Sequence, residues 1–490
     1  MPITYTEAVF YPFPFWLCVV GMAALGAYFV SKREEGWGIP ALAVLGTVAV
    51  WYVVDALYND YAGYLLAIGA DSLDAGWWEA GLFLAVFGIF VRPVHLALNR
   101  MHLGRQSQLI RLMQTGAWQG DAWQDQVDST CRLLAVVWVV VMGVALVRVD
   151  YDFVGLFLPF LGNKAEPWTR GRIGEGYDFL ISFAGYLQIT LTAIFGVLAA
   201  VANRPKTRIL ALVIFGLSAP YFLLDRTRNT IIAAVVPGYL AFALLRMRGG
   251  VLIRVVVIAV GFLAMNQWLK FVMDARTHDM NVAYAFSTGR FLHIGQEEAS
   301  DNVEAMAFFP GKEPDDIKHQ GLNMFEELGW INFFIKTGSY NPNWGSRYFA
   351  ELVNPIPRTL WPGKPLIGID YAMARGMLWD QAGKGEGGVA ATISTGMIGQ
   401  GVVNFGEFFG PIAAALLMAV WVAVLARQDL LGFETPRLLL YALGIVLTFN
   451  MGRDITLLVI YPFIFGYILF GIWKKLSGSG STTDFTDLHG

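Results

Sequence analysis

The sequence is poor in sulfur chemistry and in charge, with two cysteines and 15% Asp, Glu, Lys and Arg among 490 residues. Cys18 falls in the first apolar stretch and Cys131 beside a basic residue at the edge of another. They read as unpaired, so no disulfide framework is expected. So little charge beside 56% hydrophobic residues and a mean hydropathy of +0.51 excludes a soluble domain of this length. Residues 1–14 lack a positive n-region and a small-residue cleavage site, which makes the first apolar stretch a retained helix rather than a signal peptide. No internal repeat stands out, which weighs against a transporter built from two similar halves. The net charge of −3 points to no polyanion, and no nucleic-acid partner is expected. Aromatic residues, by contrast, are plentiful: 14% of the chain, including 16 Trp, as suits a protein anchored at two membrane interfaces.

Crossing hydrocarbon takes about 20 apolar residues in a helix. Eleven segments qualify or come close: 13–31, 39–58, 77–98, 132–149, 177–201, 208–224, 229–246, 252–271, 400–425, 437–451 and 456–473. The chain therefore reads as an all-α polytopic membrane protein with about eleven transmembrane helices, within a range of ten to twelve. Lys and Arg in short loops set orientation. One set of connections carries Lys32, Arg33, Arg92, Arg100, Arg105, Arg111, Arg132, Arg204, Lys206, Arg208, Arg246, Arg248, Arg254, Arg427, Arg437, Lys474 and Lys475. The opposite short connections carry only Arg148, Lys164, Arg170, Arg172, Arg226, Arg228 and Arg453. The richer set is expected in the cytoplasm, with the N-terminus outside and the C-terminus inside. On this reading residues 1–271 form an N-terminal bundle of about eight helices, 272–399 one large extracytoplasmic loop, 400–475 the C-terminal helices, and 476–490 a disordered tail. Residues 99–131 read as an interfacial cytoplasmic segment with Leu109, Leu112 and Met113 on one face.

The basic residues on the disfavoured side carry the first functional signal. A guanidinium at membrane depth costs a few kcal/mol, so it faces a cavity or a partner. Local pairing, Arg226 with Asp225 and Arg453 with Asp454, is one reading. The other is capture of a phosphate group, for which the planar fork of Arg is suited.

Within the large loop, Arg290, His293, Glu297, Asp301 and Glu304 recur at spacings of three and four and can share a helical face. That face is either solvated or holds a general base; the spacing of a metal site is absent. Prolines 355, 357, 362 and 365 alternate with Arg358, Trp361 and Lys364, giving a stiff extended segment. The run ends in Thr392, Ser394 and Thr395, which lead into a helix containing Asn404, Phe405 and Gly406.

The run NPIPRTLWPGKP (354–365), followed by TISTG and NFGEFFG, resembles the Wzy-type O-antigen and exopolysaccharide repeat-unit polymerases, as do LDRTRNTII and MGRDITLL. The resemblance implies a membrane glycosyltransferase of the GT-C type in the bacterial cytoplasmic membrane, with neither metal nor cofactor. It would join undecaprenyl-pyrophosphate-linked oligosaccharides at the outer face, beside a flippase and a chain-length regulator. For that reaction catalysis is expected of His293, Glu297, Arg290 and Arg358, with His293, Glu297 and Glu351 as candidate bases in that order. Arg226, Arg228, Arg290, Arg358 and Arg453 would contact pyrophosphate, Arg170 and Arg172 would join the binding set, and Arg347 and Lys364 would lie near the glycan. Trp344 and Trp361 are stacking surfaces or interface anchors. Two rival readings stand beside it: an O-antigen ligase, and a transporter or flippase of lipid-linked glycans.

Overall fold

Long apolar runs fold as helices because a helix satisfies its own backbone hydrogen bonds where no water can. The computed structural model describes residues 11–59, 61–102, 105–116, 119–161, 164–168, 178–224, 228–247, 250–277, 323–353, 356, 360–365, 368–375, 378–380, 387–389, 393–431, 435–455 and 457–476. Among them, eight helices are long and apolar enough to cross a membrane, and three shorter apolar ones accompany them. The chain is a helical, membrane-embedded protein.

In chain order the helices are α1 (Phe13–Ser31), α2 (Gly38–Val48), α3 (Asp55–Tyr58), α4 (Tyr61–Ile68), α5 (Ala70–Leu98), α6 (Gln108–Thr115), α7 (Asp121–Arg148), α8 (Phe153–Phe157) and α9 (Asp178–Val201). There follow α10 (Pro205–Leu223), α11 (Arg228–Leu245), α12 (Val251–Thr277), α13 (Met324–Lys336), α14 (Ser346–Val353), α15 (Ile369–Ala374), α16 (Met397–Leu430), α17 (Thr435–Met451) and α18 (Leu457–Leu476). A π-helical stretch, Ala49–Val54, joins α2 to α3. Between α15 and α16 a small antiparallel hairpin pairs β1 (Leu378–Asp380) with β2 (Gly387–Val389), Trp379 opposite Gly388.

Three of these elements depart from the sequence reading. Helices α5 and α7 begin earlier than their apolar runs, so residues 121–131 belong to α7 and not to an interfacial segment. The remaining part of that segment is α6, docked on the end of α16. There Asp429 accepts the Leu109 N–H at 2.9 Å, and Leu112 is buried. Met113 points away from this contact and is 55% exposed.

The third departure is α16, expected as one span over 400–425. Gly406 sits at φ 78°, ψ 178°, outside helical space. Nine residues of continuous helix span about 13 Å, yet a Cβ on Gly401 would lie 2.2 Å from the Gly410 carbonyl oxygen. The chain therefore reverses at Gly406. A short limb, 397–405, packs antiparallel on the start of the long limb, 407–430. Only glycines at 401 and 410 let the two backbones approach so closely.

The described part of the large loop inserts into the helices. On α13, Phe325 stacks on Trp77 with ring centroids 4.0 Å apart. Asp55 accepts the Phe325 N–H at 2.7 Å, and Asn332 donates to Glu79 at 2.9 Å. The π-helical stretch aims neighbouring side chains at the same end: Trp51 donates to the Phe449 carbonyl, and the Tyr52 hydroxyl accepts the Ile398 N–H.

Candidate functional site

Four sequence runs, 343–351, 393–400, 403–406 and 452–455, meet at this end of the bundle. The run TISTG reaches the α17–α18 turn through the Thr395 N–H and hydroxyl, both 3.1 Å from Asp454 Oδ1. Ser394 Oγ accepts from Arg453 Nη2 at 3.0 Å. One residue further, the Met397 N–H reaches the Gly452 carbonyl. Gln400 closes the seam with both ends of its amide, donating to the Ile455 carbonyl and accepting the Ile455 N–H. The reversal at Gly406 presents the end of the short limb to the loop. The N–H groups of Asn343 and Gly345 bond the Val403 and Asn404 carbonyls, and Asn404 Oδ1 accepts the Tyr348 N–H. Trp344 (φ 52°) and Gly345 (φ 87°) take up the left-handed turn that starts α14 there.

Helix α14 then splits by face. Arg347, Ala350, Glu351 and Val353 are buried, whereas Phe349 and Leu352 are exposed. On the buried face Arg347, 5% exposed, lies against the seam. Its Nη2 reaches the Ile393 carbonyl at 3.4 Å and Asp454 Oδ1 at 3.5 Å. Both contacts are at the outer limit of a hydrogen bond, and the same Asp454 oxygen already receives both Thr395 donors. Arg347 Nε and Nη1 are buried with no partner in the protein.

One helical turn on, Glu351 Oε2 is likewise buried and unpartnered, as is the Tyr348 hydroxyl. Arginine and glutamate at this spacing normally pair, but here they do not. Burial pushes the Glu351 carboxyl up to about 7, with the negative Asp454 adding to the rise and Arg347 opposing it. Buried donors and acceptors without partners cost about 1–3 kcal/mol each. Three such side chains on one short helix make this the candidate place for polar ligand atoms.

The neighbouring acids are closed by contrast. Burial raises the Asp370 carboxyl, but hydrogen bonds from Asn343 and Tyr340 more than offset it and bring it below its ordinary range. Glu327 accepts from Tyr371 and pairs with Arg375 at 3.2 Å, and that guanidinium stacks over the Trp330 ring.

Of the residues expected at a site, Arg347, Glu351 and Arg453 come together around Asp454. Arg453 does not pair with the adjacent Asp454, which turns to Thr395 and Arg347 instead. Trp361 packs edge-on against Phe349, on the exposed face of α14, and Lys364 donates to the Ile356 carbonyl at 2.9 Å. Both sit away from the Arg347 face. Trp344 is 76% exposed. Arg228 opens α11. Arg170, Arg172, Arg226, Arg290, His293, Glu297 and Arg358 lie outside the described residues. Tyr348 and Asp454 were not expected as site residues; the only hint was their position beside arginines in motif runs.

No family model, no curated protein and no solved structure matches the chain.

Proposed function

We propose that the protein is a membrane glycosyltransferase that polymerises lipid-linked oligosaccharide repeats, with an acceptor sugar hydroxyl displacing a polyprenyl pyrophosphate from the donor's anomeric carbon. The observation that carries this reading is Arg347, a buried guanidinium with two N–H groups free of protein partners. A guanidinium in that state calls for an anion with paired oxygens, and pyrophosphate fits the fork in a bidentate way. Negative charge grows on the leaving pyrophosphate as the glycosidic bond breaks, so a fixed cation there favours the transition state over the ground state. Arg453 adds a second cation at the seam. The resemblance of the TISTG, NFG and MGRD runs to the Wzy-type polymerases supports the same reading, because these are the runs that converge. In this view the loop end faces the outer side of the bacterial cytoplasmic membrane, with a GT-C type arrangement of helices.

The transporter reading would draw on Asp55 and Glu79, buried acids within the helical bundle. Both are engaged with α13, which favours the enzyme.

The test supplies purified protein with lipid-linked repeats isolated from the producing strain. Chains that lengthen without a lipid A core acceptor are expected, which would exclude a pure ligase. Arg347→Lys, keeping charge but losing the fork, should lose most of that activity. Substrate that crosses a bilayer without any glycosidic bond forming would overturn the reading.

A further inference from the structure

Arg347 and Glu351 lie one turn apart on the buried face of α14, each with unpartnered polar atoms, and they do not pair with each other. The guanidinium offers only donors and a carboxylate only acceptors. Whatever lies between them must therefore present anionic oxygens to one and an O–H to the other. In a displacement at an anomeric carbon, the leaving and attacking oxygens occupy opposite faces of that carbon. An anion holder and a proton acceptor must then be close neighbours, and these two lie one helical turn apart.

We propose that Glu351 is the general base of the glycosyl transfer. This rests on the reading of the site given above. Glu351 Oε2 accepts the proton of the acceptor hydroxyl as that oxygen bonds the anomeric carbon. The bond from that carbon to the pyrophosphate oxygen breaks with its electron pair, and the polyprenyl pyrophosphate leaves against Arg347. Among the described residues the other acids near the seam already hold hydrogen bonds. Asp454 Oδ1 holds Thr395 and Arg347, Asp370 holds Tyr340 and Asn343, and Glu327 is bound to Arg375 and Tyr371. The groups that act on Glu351 are Arg347 from its own helix, Asp454 from the α17–α18 turn, and Tyr461 from α18. Burial and Asp454 both favour the protonated carboxyl, which places the base near neutrality, where proton transfer is efficient.

The experiment pairs chain growth with binding. A strain deleted for the gene carries wild type, Glu351→Gln or Glu351→Asp, and its surface polysaccharide is run as a ladder. Each purified protein is titrated with farnesyl pyrophosphate, followed by tryptophan fluorescence. Glu351→Gln should cut chain growth by roughly 10²–10⁴-fold while binding farnesyl pyrophosphate as tightly as wild type. Glu351→Asp should retain part of the activity, with the acid limb of its pH–rate profile displaced from the wild-type position near neutral pH. A full ladder from Glu351→Gln overturns the base assignment and leaves the glycosyl-transfer reading standing. Joint loss of ladder and pyrophosphate binding also overturns it, since the residue would then be structural. A wild-type protein that rescues no ladder and binds no farnesyl pyrophosphate overturns the underlying reading as well.

Discussion

Arg204 and Arg246, near one end of the helical bundle, and Arg347, at the other, are bonded in contrasting ways. At the end that carries the short α9–α10 and α11–α12 connections, Arg246 donates to the Ala200 and Ala202 carbonyls and to Asn203 Oδ1. Arg204 pairs with both Asp125 and Asp128, each at 2.6 Å. Each guanidinium there ties a helix end to its neighbour, and its bonding capacity is spent on the protein. At the loop end Arg347 is more deeply buried but holds two long contacts and leaves Nε and Nη1 open. A buried donor left open costs stability. Near the opposite end Arg254 also leaves its Nε open, so what sets Arg347 apart is two open nitrogens beside the unpartnered Glu351 and Tyr348 on the same helix.

The sharpest way to break that contrast is to make the same substitution at both ends. Arg347→Lys should reduce chain growth by about 10²–10³-fold, the loss typical of a transition-state donor. Arg246→Lys should leave the rate within a few-fold of wild type. Equal effects on the ladder would erase the distinction.

The next largest effect concerns the reversal that shapes the loop end. Gly401→Ala puts a methyl group against the rigid backbone of Gly410 and should destabilise the protein by about 3 kcal/mol, the upper part of the range for overpacking. Gly143→Ala on α7, where nothing lies within 4 Å, should be neutral or slightly stabilising. Thermal unfolding in detergent reads both; a tolerant Gly401 would remove the tight hairpin.

Glu351 adds a smaller, pH-dependent difference. Its carboxyl is raised to about 7 in the folded protein, so the native state holds the proton more tightly than the unfolded chain, where the value is about 4.3. Stability from this group is therefore greatest below about pH 4.3 and declines as pH rises to about 7, by up to about 4 kcal/mol. Between pH 5 and 8 the wild type should lose more melting temperature than Glu351→Gln. Parallel curves would mean that the site does not strain the carboxylate. The smallest effect is expected for Arg246→Lys on stability, about 1 kcal/mol for weakened hydrogen bonds to carbonyl oxygens.

Much of the helical framework is legible in hydropathy, because each apolar run of bilayer length has one backbone solution in hydrocarbon. Among the described residues the expected spans are largely helical, and eight helices are long and apolar enough to cross. What hydropathy does not register is direction. The run from Met397 to Leu430 is apolar throughout, and only the positive φ of Gly406 reveals that it doubles back. Burial of the site was equally hidden. Arg347 reads as one more loop cation until Ile393, Asp454 and Gly368, all distant in the chain, close on it. The Arg453–Asp454 pairing suggested by adjacency fails because successive residues on that turn face different partners. Glu351 stood third among the candidate bases, since its distinguishing property, an unpartnered oxygen at a closed seam, exists only after folding.

The docking of α13 has a bearing on how the protein is made. Asp55 and Glu79 are synthesised early, and the groups that bond them, the Phe325 N–H and the Asn332 amide, come more than 250 residues later in the chain, 270 in the case of Asp55. At 5–20 residues per second, that interval is roughly 15–50 s. For that time Glu79 awaits Asn332, and Asp55 has only its neighbours Asn59 and Tyr64 as donors. The first five helices therefore stay unfinished until the polypeptide has passed the middle of its large loop, and the C-terminal third acts as the latch that completes the N-terminal third.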